Sequence, residues 1–384
     1  PNPQSPIPNP QSPIPNIIIL IFLMDKLSNL LNKKRKLDLK EDISRTTNTS
    51  STNNLYDNYI FKKNPNFKYK DTILYNNDSL GFNDIFEIFY SIKDGKSYIV
   101  SPNNYYFSLN IYSLDNNKLI KSLKGHYNHI TMVKYYTNTK KEFLISADIN
   151  GIVIIWDLNY NDEKYDIKLN IKSYIYSCIM FFDEFDYIIT STCGKEETKL
   201  FILNENKIKL IKNIKESKDI SVYYLLIWYN KVNENYFLIQ FCKNKIVIID
   251  INLNEIYCNL INENDTEVCF MNGFIYLPYE YLFSISVNNF INIWDLYGKE
   301  LVYSIFVNDN FLNQIIQWNN KYAIITNGDK NNILIMDLEA RRIISKIFSK
   351  HEKGIINIKK IIHPIYGESL LSCGIEGSIN LWII

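Results

Sequence analysis

The stretch that decides the fold is Leu123–Leu158, LKGHYNHITMVKYYTNTKKEFLISADINGIVIIWDL. It opens on Gly125-His126 and closes on Trp156-Asp157. Between these pairs, ITMVKYY and EFLISAD are rich in the β-branched and aromatic residues that favour strands. The turn at Asn150-Gly151 then leads into a third strand, IVIIWD.

The close of this stretch recurs along the chain. A large residue, one further residue and then Leu or Ile end an alternating run at Tyr112, Trp156, Phe201, Ile249, Trp294, Met336 and Trp382. The successive intervals are 44, 45, 48, 45, 42 and 46 residues. Several of these anchors follow a strand carrying a small polar residue, as in FLISADING (Phe143–Gly151), YLFSISVNN (Tyr281–Asn289) and SLLSCGIEG (Ser369–Gly377). Further upstream lies another apolar run, which twice ends in an aromatic turn, at Trp228 and Trp318. Downstream comes one more strand, such as KLIKSLKGH or KELVYSIF. Each unit thus holds four strands in a repeat of about 45 residues, the length of a propeller blade. One blade cannot bury both of its faces, so seven must stack in a ring. The expectation is an all-β, seven-bladed β-propeller over residues 67–384. A β-sandwich carries no such period.

The seventh unit reaches only its third strand at Ile384. The segment KYKDTILYNND, Lys68–Asp78, stands in the frame of an outer fourth strand. Asp71–Tyr75 are therefore expected to pair with the blade ending at Trp382, which removes an open sheet edge.

At these residues the chain resembles the WD40 repeat family, over residues 68–384. The resemblance implies a buried relay in which His126 connects through Ser146 or Asp148 to the Trp156 indole. The physical need is satisfaction: a buried indole N–H and a buried imidazole each require partners. Asn150-Gly151 replaces the family's Asp-Gly turn, which leaves open whether Asp148 or Asn150 faces His126. In the last unit His351 and Trp382 fit the pattern, with Glu376-Gly377 at the turn. The units of Tyr112, Phe201, Ile249 and Met336 lack the Trp, and that of Trp294 lacks a clear His. At most two relays are expected to be near complete.

Composition narrows the function. Net charge is +1 and only four residues are Arg: Arg35, Arg45, Arg341 and Arg342. That balance gives no general footprint for nucleic acid. Arg341-Arg342 could clamp a phosphate, but on a strand adjacent residues face opposite ways. The six cysteines form no C-x-x-C pair, and with the four His they show no zinc spacing. They read as reduced, buried thiols of an intracellular protein. Metalloprotease, nucleophile-elbow and phosphate-loop motifs are absent from the sequence, so no cofactor, metal or catalytic residue is expected. The acids Asp183, Glu184 and Asp186 read as a solvated turn.

Residues 1–16 repeat PNPQSPI, and the apolar run Ile17–Leu23 is shorter than the ~20 residues that span a bilayer. Residues 1–23 are expected to lie outside the native protein, with translation starting at Met24. Residues 24–66 read as a flexible tail. Its cluster Lys33, Lys34, Arg35 and Lys36 has the composition of a nuclear import signal. The resemblance implies a non-catalytic scaffold that binds other proteins or peptides on a propeller rim, as a subunit of a larger complex. Phosphoinositide binding and nuclear ribosome-assembly scaffolding are the alternatives.

Overall fold

The structure, a computed structural model, describes residues 61–384 except 76–86, 92, 104–105, 138–141, 159–166, 172–174, 183–185, 193–197, 205–206, 215–220, 263–269, 278, 309–310, 329–330 and 353. The leader 1–23, the basic cluster Lys33–Lys36, Cys193, Cys269, Asp183 and Glu184 lie outside the described residues.

Among the described residues every regular element is a strand. Strand β1 is Lys68–Tyr75. The first blade is β2 (Glu87–Tyr90), β3 (Ser97–Asn103), β4 (Ser108–Ser113) and β5 (Leu119–Lys124). The second is β6 (Ile130–Thr137), β7 (Glu142–Asp148), β8 (Ile152–Asp157) and β9 (Ile167–Asn170). The third is β10 (Ile175–Phe182), β11 (Asp186–Thr192), β12 (Thr198–Asn204) and β13 (Lys207–Ile214). The fourth is β14 (Val222–Asn230), β15 (Asn235–Cys242), β16 (Ile246–Asp250) and β17 (Glu255–Leu260). The fifth is β18 (Phe270–Tyr276), β19 (Tyr281–Ser286), β20 (Phe290–Asp295) and β21 (Glu300–Phe306). The sixth is β22 (Leu312–Gln317), β23 (Tyr322–Asn327), β24 (Asn332–Asp337) and β25 (Arg342–Phe348). The seventh is β26 (Ile355–His363), β27 (Gly367–Gly374) and β28 (Ser378–Ile383), with β1 as its outer member.

Each blade is one four-stranded antiparallel sheet in sequence order, except the seventh, whose order is β1-β28-β27-β26. First strands of successive blades touch around the ring, and β2 touches β26 to close it. The chain is thus a seven-bladed β-propeller. The seven repeating anchors all fall on the third strand of a blade. Six are buried, and Tyr112 is only half-buried, its hydroxyl accepting from Asn110 Nδ2 at 3.1 Å.

Hydrophobic layers form between blades and not within one. Tyr136, Ile145 and Ile155 of the second blade pack with Met180, Ile188 and Phe201 of the third. Trp228 and Ile248 of the fourth meet Leu282 and Trp294 of the fifth. Middle strands are covered on both faces and read as near-continuous apolar runs, as in β23 and β24. Outer strands keep one edge in water, and Arg342 and Lys346 on β25 guard such an edge.

The turns show what the Asp of the Trp-Asp pair does. Asp295 Oδ1 accepts from the backbone N–H groups of Tyr297 and Gly298, both at 2.8 Å. Asp250 and Asp337 make the same pair of bonds in their blades. Each turn then passes a residue of positive φ: Asn254 (57°), Lys299 (59°) and Arg341 (53°). The Asp side chain shapes the turn that links the third and fourth strands. Arg341 therefore sits in a turn, so the strand-alternation argument does not apply to the Arg pair. Its guanidinium lies 5.6 Å from the Tyr303 ring centroid.

Closure follows the expected register and extends it. Asp71 pairs with Leu381, Thr72 with Asn380, Leu74 with Ile379 and Tyr75 with Ser378. Lys68 and Tyr69 continue the ladder to Ile383 and Trp382. Thr72 Oγ1 donates to Asn380 Oδ1 at 2.8 Å. Packing also begins upstream of the expected boundary at residue 67. Phe61, Pro65 and Phe67 are buried, so the last residues of the supposed flexible tail are seated on the ring.

Polar side chains tie each blade to the next. Glu87 Oε1 accepts from Lys359 Nζ at 3.0 Å, and its other oxygen lies 3.9 Å from Lys134 Nζ. One buried carboxylate thus joins blades seven, one and two. Thr131, Ser191 and Asn313 donate to backbone carbonyls of the following blade. Asn272 and Gln314 accept from Ile315 N and Ile358 N. Trp228 Nε1 donates to Glu280 Oε2 at 2.6 Å across blades four and five.

Candidate functional site

Among the described residues, the titratable constellations resembling a working site are the two His relays. In blade two, His126 follows β5 and its ring is buried between β7 and the next turn. Its Nδ1 lies 2.9 Å from Asp148 Oδ2, and its Nε2 lies 2.6 Å from Ser146 Oγ. Trp156 Nε1 donates to the same Ser146 Oγ at 2.8 Å. A carboxylate can only accept, so Nδ1 carries the proton and Nε2 accepts from the serine hydroxyl. Every donor then has one acceptor. The acceptor left open by the sequence is Asp148. Asn150 contributes its backbone N–H, which donates to Asp148 Oδ1 at 3.0 Å.

Blade seven builds the same circuit from different positions. His351 Nε2 lies 2.7 Å from Ser372 Oγ, and Trp382 Nε1 donates to that oxygen at 2.7 Å. The strand position of Asp148, the last of β7, is Gly374 on β27. The carboxylate comes instead from Glu376, two residues on, which bonds His351 Nδ1. The longer side chain reaches back over a residue that has none. A Cβ at Gly374 would stand 2.2 Å from Glu376 Oε1 and 2.3 Å from His351 Nδ1. Ser378 Oγ also donates to Glu376 Oε1.

Burial pushes the His351 imidazole below its usual 6.5, against the opposing pull of Glu376. The Glu376 carboxyl lies below its usual 4.5, because the Ser378 and His351 bonds outweigh the upward push of burial. Both groups therefore take up protons less readily folded than unfolded. Stability is retained above about pH 6.5 and falls as the unfolded His351 gains its proton, with a further loss as pH drops through the Glu376 range. The midpoint of thermal unfolding should decline from pH 7 to pH 5, and more shallowly in His351→Gln. Equal slopes in the two proteins would refute this role.

Both relays have the order carboxylate, imidazole, serine that activates a nucleophile. Two facts set them apart from such a site. Ser146 and Ser372 are each 0% exposed. Each also has its oxygen engaged by an indole N–H at 2.7–2.8 Å, which stands where a substrate would have to approach. The arrangement satisfies buried polar groups.

The other blades hold fragments. Trp294 Nε1 donates to Ser284 Oγ at 2.8 Å, but no His stands beyond it. Asn262, two residues past β17, takes the place that His126 takes past β5 and donates to Asn292 Oδ1 at 3.0 Å. In the frame of Ser146 the fourth blade carries Gln240, which donates to Thr198 Oγ1 at 3.1 Å, and the sixth carries Ile325. Phe201, Ile249 and Met336 fill the anchor place by packing alone.

His129 precedes β6, and His363 ends β26, where its Nδ1 accepts from Ile365 N at 3.1 Å. Among the described residues no group of His, Cys, Asp and Glu could hold a metal ion. Cys178, Cys242, Cys258 and Cys373 are not joined in disulfides. Burial raises the Cys178 and Cys242 thiols to about 12 and that of Cys258 to about 11, far from the reactive range. No helix of the described residues is long and apolar enough to cross a membrane.

The two rims differ in construction. One carries the turns between strands one and two and between three and four; we call it the hairpin rim. The other, the crossover rim, carries the turns between strands two and three and the links between blades. Exposed apolar side chains line the crossover rim at Tyr106, Tyr127, Ile149, Ile261, Phe311 and Ile375. Tyr127 is 81% exposed. Phe311, just before β22, and Phe107, just before β4, hold φ of 59° and 50°, a conformation costly for a bulky side chain. Sequence reading had no signal for these, because a strained φ is set by the turn that encloses it.

No family model matches the sequence, and no curated protein matches it. The solved β-propeller domain of Cps50 (Swd1) from Myceliophteria thermophila is similar in structure, with a TM-score of 0.61. The two share 16% identity over 83% of this chain and 99% of that one. It is one of 1538 solved chains that match, and so common a scaffold leaves function to the surface it presents.

Proposed function

We propose that this seven-bladed propeller of WD40 type is a non-catalytic scaffold that holds other proteins or peptides on its crossover rim. The observation that carries this reading is the division of labour between inside and outside. The paired His and carboxylate groups are turned inward and satisfied, whereas the crossover rim turns Tyr, Phe and Ile outward on loops. Aromatic side chains of this kind dominate the energetics of protein interfaces. Phe311, with φ of 59° and an exposed ring, adds to this outward-facing set.

The test is affinity purification of the tagged chain from its native cells, coupled to cross-linking. Tyr127→Ser with Phe311→Ser should reduce recovery of the cross-linked partner at least about tenfold, a loss of ~1.4 kcal/mol or more. The melting temperature should change little. Val232→Ser with Leu253→Ser, both on the hairpin rim, should leave recovery intact. The reverse pattern would move the site to the other rim and overturn this reading.

A further inference from the structure

Trp228 and Trp318 occupy the same place, at the hairpin-rim end of the first strand, in blades four and six. Both are 0% exposed, and each indole N–H needs an acceptor. Trp228 finds the Glu280 carboxylate at the hairpin turn of the next blade. By strand register, with Leu282 opposite Trp294 as Leu370 is opposite Trp382, the corresponding residue of blade seven is Glu368, but its carboxylate accepts from the backbone N–H groups of Lys62 and Lys63. Trp318 Nε1 donates instead to the backbone carbonyl of Lys63, at 2.9 Å.

Lys63 belongs to the segment Phe61-Lys62-Lys63-Asn64-Pro65-Asn66-Phe67, which precedes β1. Phe61 lies over Trp318 with ring centroids 4.3 Å apart. Phe67 meets the same indole edge-on at 4.9 Å. Lys360 Nζ of β26 stands 5.6 Å from the centre of the Phe61 ring. From β27, Glu368 accepts two consecutive backbone N–H groups, of Lys62 at 2.9 Å and Lys63 at 2.8 Å. Lys62, Lys63, Asn64 and Asn66 are exposed, whereas Phe61, Pro65 and Phe67 are buried. The contacts therefore read two rings, a proline and the backbone.

We propose that the hairpin rim between blades six and seven is a peptide-binding groove, built on Trp318 and Glu368, whose resident ligand is the chain's own Phe61–Phe67. The ligand class it takes is an extended segment with aromatic residues six positions apart. Closure of the ring then rests on two devices, the β1 ladder to β28 and this aromatic clasp, which also reaches Trp318 of blade six. The inference is independent of which proteins the crossover rim holds.

The first measurement is hydrogen exchange on the unmodified full chain. The Lys62 and Lys63 amides should be protected at least about a hundredfold over an unstructured peptide, since both are engaged by one nearly buried carboxylate. Exchange at the unstructured rate would overturn the proposal. The second uses the full-length Phe61→Ala with Phe67→Ala variant, which empties the groove. Its melting temperature should fall by about 5 °C or more. A fluorescein-labelled peptide of residues 58–70 should bind this variant at least about tenfold more tightly than it binds the unmodified chain. Adding Trp318→Ala should abolish that binding. A folded variant that fails to bind the peptide would overturn the proposal. Should the variant not fold, the exchange rates decide alone.

Discussion

Deleting residues 68–75 should lower the melting temperature by about 10 °C. Strand β1 makes six paired positions with β28, and each backbone hydrogen bond contributes ~1 kcal/mol net. Even a partial loss is on the order of 5 kcal/mol, and for a chain of this size each ~1 kcal/mol moves the midpoint by about 2–4 °C. The deletion also uncovers Trp382, against which Tyr69 packs at 5.8 Å, and exposes the edge of β28 for pairing with other chains. Circular dichroism melts would show the shift, and light scattering on heating should begin earlier. An unchanged melt would mean that the seventh blade is complete without β1.

Gly374→Ala should cost about 3 kcal/mol, more than most glycine replacements outside a strained turn. The added methyl cannot coexist with Glu376 Oε1 or His351 Nδ1, each within 2.3 Å of it. Either the carboxylate leaves, and a buried imidazole N–H loses its acceptor at ~1–3 kcal/mol, or the strand shifts at a similar cost. The companion experiment makes the claim specific. Gly374→Asp with Glu376→Asn rebuilds the blade-two arrangement, in which Asp148 stands at the strand position and Asn150 at the turn. The double variant should recover most of the stability lost in Gly374→Asp alone, as measured by urea denaturation. No recovery would show that the two blades do not share one relay geometry.

That exchange of positions explains how much the sequence disclosed. The blade count, the frame of the seven anchors and the closing strand were legible because each blade repeats one alternation of apolar residues, and backbone pairing obliges that alternation. Ser146, Trp156 and Trp382 were named because they lie on strands of fixed period, whereas Ser372 was not singled out. Its carboxylates were harder. Asp148 and Glu376 come from different places, and only the distance to the ring nitrogen identifies them. The half-buried Tyr112 shows the limit of the anchor pattern, which fixes a position on a strand and not its depth. The Phe61–Phe67 clasp had no legible signal. Its burial depends on Trp318 and Glu368, more than 250 residues away, and polar residues at Lys62–Asn64 disguise the two rings.

Drawing its final blade from both extremes of the described chain gives this protein a particular history during synthesis. Strand β1 leaves the ribosome before all seven blades' other strands, and its partner β28 ends at Ile383. At ~5–20 residues per second, the interval between them is tens of seconds. Throughout that time β1 is an unpaired ribbon, and six blades can only form an arc. Cellular helpers that shield exposed strands should therefore bind nascent chains of every intermediate length and release them only after the last strand emerges.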